Sequence, residues 1–173
     1  METIRNSIPM PEVDTPLQKV LNPAYVDGYF DGSFMNFNDG RISGCISTVD
    51  GAAGLNTPEK VFYGLRMDYE QTPFKPTDEF VTVIRFTSSD TQNIKIPYGD
   101  NMPNPAGGNV SNMTPPFTGN GFTAATNGQI IPEFYTDGVS LQDGAQMFQI
   151  TSRGEEKLIA IYNEDLMKFV RID

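Results

Sequence analysis

Short apolar runs broken by glycine-bearing turns set the rhythm of this chain. Residues 79–87 carry Phe80, Val81, Val83, Ile84 and Phe86, apolar on both faces of an extended segment, which is the pattern of a strand buried in the middle of a sheet. Residues 61–67 alternate Val61, Tyr63, Leu65 and Met67 and are expected to form another strand. Residues 41–49 read as a strand joined by a hairpin through Asn38-Asp39-Gly40 to the aromatic run before it. Toward the C-terminus, segments 145–151, 156–162 and 167–172 are separated by turn residues and predict a three-stranded antiparallel meander, with 158–162 as its buried centre. Six Asp-Gly steps punctuate the sequence, at Gly28, Gly32, Gly40, Gly51, Gly138 and Gly144. Glycine takes positive φ without a steric penalty and aspartate bonds its own backbone, so these steps are expected to mark hairpin turns.

Two segments break the pattern. Residues 1–24 hold Pro9, Pro11, Pro16 and Pro23 and read as an extended arm with one helical turn over 16–21. Residues 98–121 are rich in Asn, Pro and Gly, lack any strand or helix period, and read as a long polar loop of the kind that is usually functional or disordered. The expected fold is therefore mainly β: antiparallel hairpins and a meander in a sandwich or barrel-like domain spanning 25–173, preceded by the arm.

Composition narrows the partners. The length of 173 residues suits one domain with a sizeable core. A formal charge of −10, with twelve scattered Lys and Arg, disfavours a phosphate backbone, so no nucleic acid is expected as a partner. Residues 96–152 contain no Lys or Arg, and charge depletion of this sort fits either the centre of an interface or a loop packed on its own domain. Neither a signal-peptide pattern nor a long apolar run is present, which sets the expectation of a protein without membrane insertion, cytoplasmic or built into a particle assembled there. Cys45 is the sole cysteine and is read as a buried small hydrophobe without redox function.

The absence of histidine removes imidazole acid–base catalysis and histidine-bearing triads. Carboxylates, Arg and hydroxyls remain. Arg66 in Val-Phe-Tyr-Gly-Leu-Arg, Thr123 in Gly-Phe-Thr-Ala-Ala-Thr and Glu156 in Glu-Glu-Lys-Leu-Ile-Ala follow one another in an order similar to that of ADP-ribosyltransferase toxins. That resemblance implies NAD as cofactor, with Arg66 and Thr123 positioning it and Glu156 acting on the ribose. The chain departs from the family where Tyr63 precedes Gly64, where the paired glutamates are displaced by one residue, and where Pro73 and Pro76 interrupt the expected helical region. Asp27, Asp31, Asn36, Asn38 and Asp39 offer oxygen ligands but fail the spacing of a calcium loop, and turn chemistry accounts for them, so no metal site is assigned. A carbohydrate-binding β module would need exposed aromatics near the loops, with Phe117, Phe122, Phe134 and Tyr135 as candidates; these are also the candidate interaction residues. The leading expectation is a non-catalytic structural or interaction protein without cofactor. It would be held among other protein subunits, or copies of itself, in a larger assembly such as a virion or phage-like particle.

Overall fold

The computed structural model describes residues 6–37, 39–96, 121–125 and 127–172. Among these, ten strands are all paired antiparallel: β1 (Leu17–Val20), β2 (Arg41–Thr48), β3 (Phe80–Phe86), β4 (Ile94–Lys95), β5 (Phe122–Ala124), β6 (Ile130–Pro132), β7 (Phe134–Ser140), β8 (Gln146–Thr151), β9 (Glu156–Asn163) and β10 (Lys168–Arg171). Eight of them form one sheet in the order β10-β9-β8-β3-β1-β2-β7-β4, and β5 and β6 pair separately. The mainly β architecture is thus as the apolar runs predict. Three helices, α1 (Val26–Asp31), α2 (Ser33–Phe37) and α3 (Pro58–Gly64), complete the described elements with two short 3₁₀ turns. No described helix is long and apolar enough to cross a membrane.

The strong apolar run became β3, which lies between β8 and β1. Val81 and Val83 point into one apolar cluster while Ile84 and Phe86 point into another, so both faces are buried. The C-terminal meander β8–β9–β10 also forms with β9 in its middle. Its centre is not buried throughout: Ile159, Ala160 and Tyr162 are, but Ile161 faces outward.

Four local readings are corrected. The segment 16–21 contains strand β1 instead of a helical turn, because its four residues pair with β3 and two of them also with β2. Residues 61–67 belong to α3 and its C-terminal turn, not to a strand. The Thr57 side chain accepts from the Lys60 amide at 3.2 Å and Pro58 occupies the first turn, a start signal that outweighs the alternation beyond it. The Asp39-Gly40 step lies between α2 and β2 instead of closing a β-hairpin, and Asn38 lies outside the described residues. Asp39 and Gly40 have φ of 52° and 70°, and the Gly40 amide donates to the Met35 carbonyl, so positive φ here ends a helix. Upstream, Val26, Tyr29 and Phe30 recur at the three- and four-residue spacing of α1. Asp137-Gly138 is likewise no turn: it lies inside β7, where the register against β2 shifts by one residue.

The large sheet is curled. Gly40, at the start of β2, lies close enough to Tyr162 of β9 that a Cβ added to it would sit 3.2 Å from the tyrosine hydroxyl. In a flat sheet those strands, four places apart in the order, would be about 19 Å from each other. Every strand of this sheet contributes to one buried cluster, from Phe169 of β10 through Met147, Ile84, Leu17, Ile46 and Phe134 to Ile94 of β4. That shared interior gives the domain its barrel-like character. A second cluster packs α3, through Val61 and Phe62, with Phe74 and Ile131 against the outer side of β3 and β8.

Candidate functional site

A cavity of about 740 Å³ opens where β1 and β2 part company. Their ladder runs for only two residue pairs, Leu17 with Thr48 and Gln18 with Ser47, whereas β1 follows β3 for four. Beyond Gln18 the backbone of β2 loses β1 as a partner, and the Lys19 ammonium donates to the freed Cys45 carbonyl at 3.4 Å. Tyr25, Tyr29 and Phe34 of the helical segment form one wall. Leu65, Met67 and Phe74 also line it, as does Glu133, just before β7.

Lys19, Cys45 and Glu133 come together at this cavity, which is also lined by Arg66, paired with Asp68, and by the exposed Glu70. Lys19 and Glu133 are half-buried, and Cys45 is exposed. The reading of Cys45 as a buried residue is corrected accordingly, since it is exposed. Burial pushes the Glu133 carboxyl up to about 7, with Lys19 pulling in the other direction. The Lys19 ammonium is lowered by burial, with Cys45 and Glu133 opposing that shift. Burial, reinforced by Glu133, pushes the Cys45 thiol up to about 12, so at neutral pH it is a thiol and not the nucleophilic thiolate.

The glutamate and lysine influence each other without closing an ion pair. The ion pairs among the described residues are Arg66–Asp68 and Arg85–Glu156. The Glu133 carboxylate makes no hydrogen bond with any described residue, although its backbone amide donates to the Gly121 carbonyl at 2.9 Å. Gly44 keeps the lysine in place: its φ of +96° suits glycine, and an added Cβ would stand 3.2 Å from Lys19 Nζ.

Of the residues singled out from the sequence, Arg66 and Thr123 border this cavity. Arg66 has φ of 51° and is bound to Asp68, and the Thr123 hydroxyl donates to the Gly64 carbonyl at 2.7 Å, tying β5 to the end of α3. Glu156 is not brought to them. It lies at the start of β9, where its two oxygens accept from both terminal nitrogens of Arg85 at 2.6 and 2.8 Å. Among the aromatic candidates, Phe134 is fully buried, Phe122 is buried, and Tyr135 is half-buried. Phe117 and nearly all of the segment 98–121 lie outside the described residues. Asp31 caps the α1–α2 junction by accepting from the Ser33 amide at 2.7 Å, in keeping with turn chemistry for that acidic group.

Sequence reasoning missed Lys19 and Glu133 as a pair. The available signals were faint: a lysine inside the apolar run 17–21, and one of the few charges in an almost uncharged stretch. Comparison adds no family assignment, since no protein-family model matches the chain and no match was found to a curated protein or a solved structure.

Proposed function

We propose that this chain is a non-catalytic interaction protein, a component of a larger assembly such as a virion or phage-like particle, which contacts a neighbouring protein subunit through the outer face of β9 and β10. The observation that carries this reading is an apolar patch. Ile161 and Val170 are direct cross-strand partners, and they are 37% and 42% exposed. Ile172, two residues on, is 41% exposed, and Leu166 in the connecting turn is 54% exposed. Single exposed apolar residues are ordinary, whereas a cross-strand group of them at the end of a sheet marks a contact surface. The cavity chemistry agrees with a non-catalytic role: the thiol is held protonated, the Thr123 hydroxyl is committed to a backbone carbonyl, and the chain has no histidine.

Hydroxyl-radical footprinting of the isolated chain and of its native assembly tests the reading. Ile161, Leu166, Val170 and Ile172 are expected to be protected in the assembly. Equal labelling in both states would overturn the proposal.

A further inference from the structure

The cavity contains an unfinished electrostatic arrangement. Lys19 has three N–H donors and uses one, in a long bond of 3.4 Å to the Cys45 carbonyl. Glu133 brings a half-buried carboxylate with no hydrogen bond to any described residue. Opposite charges that sense each other across a gap, each with unused hydrogen-bonding capacity, are costly to leave so in a desolvated setting. A simple anion would be attracted by Lys19 and repelled by Glu133, and a simple cation would meet the reverse. The complement is dipolar: an acceptor for Lys19 and a donor for Glu133, close together on one small head group.

We propose that Lys19 and Glu133 receive the carboxylate and the ammonium of a free α-amino acid, whose large apolar side chain lies among the lining residues Tyr29, Phe34, Leu65 and Phe74. An α-amino acid carries both poles on one carbon, which matches a pair of groups separated by a gap too wide for direct contact. The volume of about 740 Å³ leaves room for an aromatic side chain beyond the head. The fold supports the arrangement from behind, because Gly44 spares the space that the lysine head occupies. This inference does not depend on the outer-face contact of β9 and β10, which lies on another part of the sheet.

Isothermal titration calorimetry on the full chain at about pH 8, where the Glu133 carboxyl is ionised, provides the test. L-Phenylalanine is expected to bind saturably at one site. N-acetyl-L-phenylalanine, which lacks the ammonium, and L-phenylalaninamide, which lacks the carboxylate, are expected to bind at least about tenfold more weakly. Lys19→Met should abolish the preference for the free carboxylate, and Glu133→Gln the preference for the free ammonium. The proposal is overturned if L-phenylalanine does not saturate, or if both derivatives bind the unaltered chain as well as L-phenylalanine does. Because the derivatives are compared on the unaltered chain, a variant that fails to fold does not shield the proposal.

Discussion

At the scale of single residues, Glu133 is a carboxyl whose surroundings differ strongly from water. Its carboxyl is raised to about 7 from the ordinary 4.5, so the folded chain holds a proton that the unfolded chain releases between those values. The folded state therefore binds more protons, and stability falls as pH rises through this window, levelling off above the folded value. Chemical denaturation at pH 5 and at pH 8 should show a loss attributable to this group on the order of 2 kcal/mol. In Glu133→Gln, which presents a neutral amide at both pH values, that component is expected to vanish, leaving the variant more stable than the parent at the higher pH. An unchanged pH slope in the variant would refute the assignment. None of this is visible in Ile-Pro-Glu-Phe as a string, because what raises the carboxyl is burial against a cavity wall that the fold assembles from other segments of the chain, with Lys19 opposing the rise.

At the scale of elements, the corrected segments share a cause. Local pattern was sufficient for β3 and β8–β10, where long apolar or alternating runs leave few alternatives. It failed over 16–21 because a four-residue strand gains its identity from two neighbours, and over 61–67 because the Thr57 cap and Pro58 start a helix whose apolar positions also happen to alternate. Once formed, the strands are cross-tied: Arg85 of β3 donates through Nε to Gln18 of β1 at 2.9 Å and through its terminal nitrogens to Glu156 of β9, spanning β8. Hydrogen bonds from Arg85 hold the Glu156 carboxyl below its ordinary range. Its contribution is therefore present above the unfolded value and lost as pH falls through the folded one. The pair is partly exposed, so Glu156→Gln is expected to cost less than about 1 kcal/mol in a denaturant titration at neutral pH, with the difference shrinking in high salt. A cost of several kcal/mol would mean that the network is more deeply desolvated than its exposure indicates.

At the scale of the whole molecule, the curl of the sheet decides which side chains are interior. Phe134 and Ile46 are direct partners on β7 and β2, and they enter the same cluster as Phe169 from the opposite end of the sheet. Phe134, an interaction candidate by sequence, has no exposed surface to offer. Phe134→Ala is expected to lower stability by about 3–5 kcal/mol, through lost burial and the cavity left behind. A variant of unchanged melting temperature would contradict its core position. The amino-acid sequence by itself determined the β class, the central strand, the meander and the absence of imidazole chemistry, since these follow from local periodicity and from composition. Tertiary structure alone decided that Asp31-Gly32 and Asp39-Gly40 end helices through a glycine of positive φ while Asp137-Gly138 lies within a strand at a register shift, because a local dipeptide does not specify which elements it joins. It alone separated Glu156 from Arg66 and Thr123, and it alone brought Lys19 and Glu133 to one cavity, because charge and burial act through space and these residues lie far apart along the chain.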